Sequence, residues 1–216
     1  MKQFISKYKH AWVFLYCPIY LICFFYLEKT VTTEFNLIHV PLDDRIPFVE
    51  QFIVPYILWY AFVAVGVAYF FFTNKQDFYR MAAFLFVGMT AFLVISFIYP
   101  NGLILRPDLA GRDNIYIDLV KALHSVDTPT NVFPSIHVYN TLGVWIAIAK
   151  SKTLQKYKWI QIASTILSIS IILSTMFLKQ HSVLDVVGAL VLGAVVYIIV
   201  YVIEPKRTAN LTEKLS

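Results

Sequence analysis

Residues 181–203 read HSVLDVVGALVLGAVVYIIVYVI. From Val183 to Ile203 one side chain carries charge, Asp185, and the rest are Val, Leu, Ile, Ala, Gly and Tyr. A bilayer core takes about 20 residues of helix to cross. Lipid offers no water to backbone N–H and C=O groups, so a run of this length and polarity predicts a transmembrane helix. Its polar start is equally informative. His181, Ser182 and Asp185 stand where the apolar run begins, which is where a membrane surface would be.

Moving outward, five more stretches read the same way, roughly 11–27, 51–72, 79–99, 134–149 and 158–178. The expected fold is an all-α membrane protein, a bundle of six transmembrane helices forming one domain over residues 1–216. The fourth span is the shortest and opens on a polar turn. Composition agrees. Hydrophobic residues make up 59% of the 216 and charged residues 14%, against about 45–50% and about 25% in a soluble domain. Lys2, Lys7 and Lys9 precede an apolar stretch, as in a signal peptide. That stretch runs on to Cys-Phe-Phe-Tyr-Leu-Glu with no small-residue cleavage site, so a retained first helix is expected. Cys17 and Cys23 share that helix on different faces, which predicts neither a disulfide nor a metal site.

The net charge of +5 is read as a topology signal rather than a nucleic-acid surface, because the cations fall in short clusters between apolar runs. With the N-terminus inside, twelve Lys and Arg lie inside and six outside. The bias predicts a multi-pass cell-membrane protein with cytoplasmic termini. Its outer connections are 28–50, 100–133 and 179–182. The first is expected to lie on the membrane surface. The second is long enough to be folded or functional, with a short surface helix over Ile115 to Val126.

Three polar clusters fall at these outer helix ends: Arg106-Pro107, Pro134-Ser135-Ile136-His137 and His181-Ser182-Val183-Leu184-Asp185. His181 and Asp185 are four apart and share a helical face. A carboxylate there can hold one ring N–H and leave the other nitrogen free as nucleophile or base. Pro134 suits a first helical position, and the N–H groups that follow it, with the Ser135 hydroxyl, would form an anion site. His137 in that turn could protonate a leaving oxygen. The Arg106 guanidinium matches phosphate oxygens in a bidentate way. Each cluster alone has a bland reading, a helix cap or a solvated charge. Together at one face they make a set for phosphoryl transfer. His10 and His39 are expected at the interface, and Asp108, Asp118 and Lys121 in solvent. His124 and Asp127 could line the site, although Asp127 to Asn131 reads first as a turn.

These motifs resemble the type 2 phosphatidic acid phosphatase (PAP2) superfamily, and the resemblance covers most of the chain. The family pattern Lys-x6-Arg-Pro is similar to Tyr99–Pro107, with Tyr99 in place of Lys. Pro-Ser-Gly-His is similar to Pro134–His137, with Ile136 for Gly. Ser-Arg-x5-His-x3-Asp is similar to Ser174–Asp185, with Thr175 for Arg. The resemblance implies a six-helix PAP2/haloperoxidase-like core and a lipid-phosphate phosphatase. It implies His181 as a nucleophile that forms phosphohistidine, Asp185 orienting it, His137 as the acid, and Arg106 and Ser135 as phosphate ligands. Lys179 would supply a further charge. The Lys-Gln-His-Ser-Val-Leu-Asp run is similar to inositol phosphorylceramide synthases, so headgroup transfer between phospholipids is the alternative. The expected partners are a lipid substrate and the membrane, with no nucleic acid, metal or cofactor. Other classes weighed are a zinc hydrolase using His137, His181 and Asp185, a transporter, and a non-catalytic binding protein.

Overall fold

A computed structural model describes residues 8–203. The terminal charges Lys2, Lys7, Lys206, Arg207 and Lys214, and with them both expected cytoplasmic termini, lie outside the described residues.

The described chain is mostly helical. In order it forms α1 (Lys9–Thr30), β1 (Asn36–Leu37), α2 (Pro41–Arg45), α3 (Glu50–Thr73), α4 (Lys75–Ile98) and β2 (Asn101–Gly102). There follow α5 (Ile115–Val126), α6 (Ile136–Lys150), α7 (Lys158–Phe177) and α8 (Val183–Ile203). Five of these, α1, α3, α4, α7 and α8, are long and apolar enough to cross a membrane. The fourth expected span is α6, which has 15 residues, roughly 22 Å at 1.5 Å each.

α6 is short but central. Val138, Tyr139, Val144, Ala147 and Ile148 are buried in the main core beside Phe70 of α3, Met81 and Phe84 of α4, and Ala189 of α8. Tyr139 lies flat on Phe84, centroids 4.7 Å apart, and its hydroxyl donates to the Phe84 carbonyl at 2.8 Å. Gly88 makes room for that ring, since a Cβ there would stand 1.9 Å from Tyr139 Cε1. Small residues admit such close helix crossings.

Caps explain where the expected boundaries shift. α4 begins at Lys75 rather than 79 because the Asn74 side chain accepts the Gln76 and Asp77 N–H groups at 3.0 and 3.1 Å. Ser135 is the N-cap of α6, so Pro134 stands just before the cap and not at the expected first helical position. α1 extends the expected 11–27 at both ends, opening with a 3-10 turn over Lys9–Leu15. The surface helix expected from Ile115 to Val126 has those bounds, with Asn114 as its cap and Ile117, Val120 and Leu123 buried.

The ends of α1, α4 and α7 gather with the starts of α3, α6 and α8 at one end of the bundle. β1 pairs in parallel with β2, joining the segments after α1 and α4. Val49 N–H donates to the Phe177 carbonyl at 3.0 Å, joining the start of α3 to the end of α7. Ser135 N–H donates to the Asp185 carbonyl at 3.2 Å, joining the starts of α6 and α8. The 100–133 connection is therefore folded onto this end. Buried Asn101 secures it, its Oδ1 accepting the Val132 and Phe133 N–H groups, both at 2.9 Å.

Candidate active site

The joined starts of α6 and α8 bring two histidines together. His181 Nε2 lies 3.4 Å from His137 Nδ1. On its other side His181 Nδ1 lies 3.4 Å from Asp185 Oδ2, one helical turn on. Asp185 and Ser135 are fully buried, and His181 is 8% exposed. The His137 ring rests against Trp59 and Tyr56 of α3, with centroids 4.3 and 4.7 Å away. Among the described residues His137 Nε2 has no hydrogen-bond partner, and His181 Nδ1 has none beyond its 3.4 Å ion-pair contact with Asp185.

The α8 turn is held from outside its own element. Its N-cap Ser182 and Asp185 form a capping box, with the Ser182 N–H donating to Asp185 Oδ2 at 2.8 Å. Asp43 of α2, 2% exposed, reaches the same turn. Its carboxylate accepts the Ser182 hydroxyl at 2.6 Å, the Val183 N–H at 2.8 Å and the Val40 N–H at 2.9 Å. Lys179, at φ 59°, donates to the Asp43 carbonyl oxygen and points its ammonium at this clamp. The Thr175 carbonyl closes α7 by accepting the Gln180 and His181 N–H groups, both at 3.0 Å, while its side chain, where the resemblance places Arg, donates its hydroxyl to the Ile172 carbonyl at 2.8 Å.

Arg106 comes to the site from the long connection. Its Nη2 donates to Gln180 Oε1 at 2.7 Å, and the Gln180 amide donates to His124 Nε2 at 2.9 Å. Burial, then the Arg106 charge, push His124 down to about 4, which leaves its ring neutral and able to accept. Burial lowers Arg106 and raises Asp127. Tyr56 donates its hydroxyl to Asp127 Oδ2 at 3.2 Å. A cavity of about 50 Å³ adjoins the imidazoles, and Glu28, Asp127, Asn131 and Gln180 are among its lining residues.

The structure thus brings His137, His181, Asp185, Ser135 and Arg106 to one place. Lys179 is adjacent but engaged with Asp43. Tyr99, in the position of the family's Lys, is 46% exposed. Asp43, Gln180, Glu28, Asn131 and Tyr56 were not singled out from sequence. Gln180 adjoins His181 in the motif, and Glu28 is an acid near the end of an apolar run, so both had a weak signal. His39 pairs with Asp44 at the surface, while His10 is buried at the opposite end of the bundle against the Phe71 carbonyl. Both cysteines are free.

Residues 104–209 match the family model of the PAP2 superfamily. The chain belongs to that superfamily. Membership supports a function of the phosphatase or phosphotransferase type. No curated protein and no solved structure matches the chain. The matched segment contains Arg106, Ser135, His137, His181 and Asp185, whereas Glu28, Asp43 and Tyr56 fall before it.

Proposed function

We propose that this chain is a metal-independent lipid-phosphate phosphatase working through phosphohistidine. The observation that carries the reading is the buried line from Asp185 through His181 to His137. Asp185 beside Nδ1 holds the His181 ring so that Nε2 faces the reacting phosphorus. Nε2 attacks, the P–O bond to the lipid alcohol breaks, and His137 gives the departing oxygen a proton. Water then attacks the phosphohistidine, loses its proton to His137, and inorganic phosphate leaves. Arg106 and the start of α6, with its Ser135 cap, hold the phosphate oxygens.

In this reading α6 is a sixth membrane pass, shielded by its neighbours, and the chain is one domain. The connections at the far end are basic, with Lys75, Arg80, Lys150, Lys152, Lys156 and Lys158, which supports placing that end in the cytoplasm and the site outside. The cell membrane is then both location and substrate source.

One observation favours headgroup transfer as a second reading. Arg106 is already bound to neutral Gln180, and two carboxylates, Glu28 and Asp127, line the adjoining cavity. So weak a cationic clamp suits a phosphodiester, with one negative charge, better than a phosphomonoester. An alcohol would then replace water in the second step.

The test is turnover of a lipid panel by purified protein in detergent with a chelator, following free phosphate and lipid products. His181→Ala is expected to lose about 10⁴-fold or more of the activity. Full turnover in that variant would sink the mechanism, and chelator-dependent turnover would point to a metallohydrolase instead.

A further inference from the structure

The cavity beside the imidazoles has walls that phosphoryl transfer does not use. Glu28 accepts the Thr128 hydroxyl and, at 3.2 Å, the Asn131 amide N–H. Asn131, having turned its N–H₂ to Glu28, is left with Oδ1 buried and, among the described residues, unpartnered, in a residue only 6% exposed. A buried acceptor without a donor is costly, so this oxygen asks for a ligand that brings one. Asp127 adds a second carboxylate to the lining, and Phe24 and Phe92 add aromatic surface. Arg106 is not among the lining residues. The cavity is therefore acidic and rich in acceptors, which repels a second phosphate group. Carboxylates and aromatic rings together favour a cation.

Hydrogen-bonding capacity narrows the class. The cavity is small, about 50 Å³, and its orphaned acceptor, Asn131 Oδ1, needs an N–H. A primary ammonium brings three donors, whereas a trimethylammonium brings none. We propose that this cavity is a subsite for the primary ammonium of a zwitterionic phosphodiester headgroup of the aminoethyl type. Its phosphate lies at His181, so the proposal rests on the second reading given above, in which the substrate is a phosphodiester. Glu28 and Asp127 balance the charge, and Asn131 Oδ1 accepts one N–H. Glu28 and its helix lie outside the segment that matches the family, whereas Asp127 and Asn131 lie within it.

The test is calorimetric titration of the purified full chain in detergent with three soluble diesters: glycerophosphoethanolamine, glycerophosphocholine and glycerophosphoglycerol. All carry the same phosphodiester and differ only at the end. The aminoethyl compound is expected to bind at least tenfold tighter than the other two. Glu28→Gln and Asp127→Asn, each checked for an unaltered melting profile, are expected to bring the preference below threefold. Equal binding of all three, no binding of any, or a preference that survives in both variants would overturn the proposal. Choline binding as tight as aminoethyl binding would overturn the primary-ammonium assignment. Failure of the phosphohistidine reading shows elsewhere, as turnover that survives His181→Ala, and would not alter this binding ratio.

Discussion

Two helices begin side by side at the functional end of this bundle, and their first turns are built differently. At α6 the Ser135 hydroxyl takes the Val138 N–H at 3.3 Å, and among the described residues no carboxylate accepts from Ile136 or His137 N–H. At α8 two carboxylates take the first N–H groups, Asp185 from Ser182 and Asp43 from Val183. A helix start carries partial positive charge. The open one leaves that charge unmet, and the closed one is already neutralised. In the proposed mechanism the difference is a division of labour: α6 receives phosphate, and α8 is a rigid mount for His181.

That contrast can be broken from either side. The largest effect is expected at the open helix. His137→Gln keeps the ring's place against Tyr56 and Trp59 filled but removes the acid, and should lower kcat by roughly 10²–10⁴-fold. A substrate with an activated leaving group, which needs no proton, should recover most of that loss. Equal loss on both substrates would remove His137 from the role of acid.

The closed helix should fail through stability. Asp43→Ala strands the Ser182 hydroxyl and the Val183 N–H in a buried turn, costing about 3 kcal/mol. Ser135→Ala at the open helix removes one cap and should cost about 1 kcal/mol. Thermal melts of the two variants in detergent compare them directly. A smaller loss for Asp43→Ala than for Ser135→Ala would contradict the clamp.

The smallest effect is a titration beside the clamp. His124 is near 4 in the fold and about 6.5 when unfolded. Between those values the unfolded chain binds the extra proton and the fold does not, so acid favours unfolding there. The melting temperature should fall as the pH is lowered from 6.5 to 4, and His124→Gln should flatten part of that slope. An unchanged slope in the variant would detach His124 from the effect.

Much of this was legible before any coordinates. Apolar runs located the helices, and the short surface helix expected over Ile115–Val126 proves amphipathic, its buried Ile117, Val120 and Leu123 repeating with the helical turn. The histidines were visible because each opens an apolar run with a capping residue beside it. Asp43 was not visible. It is one acid among several in a polar connection, and its partner Ser182 lies 139 residues away. Asn131 and Asp127 looked like turn formers; Asn131 does sit in the left-handed region at φ 54°, whereas Asp127 caps α5 in an extended conformation. Only the fold shows that the turn faces the imidazoles. The β1–β2 pair is too short to carry any alternation of its own.

The most direct test of the account is to trap the covalent intermediate. Purified protein would be mixed with a lipid phosphate substrate, quenched in alkali within milliseconds to keep an acid-labile phosphohistidine, digested and mapped by mass spectrometry. A phosphoryl or phosphodiester adduct is expected on the peptide containing His181, lost in His181→Ala. An adduct on His137 instead, or rapid turnover in His181→Ala, would contradict it.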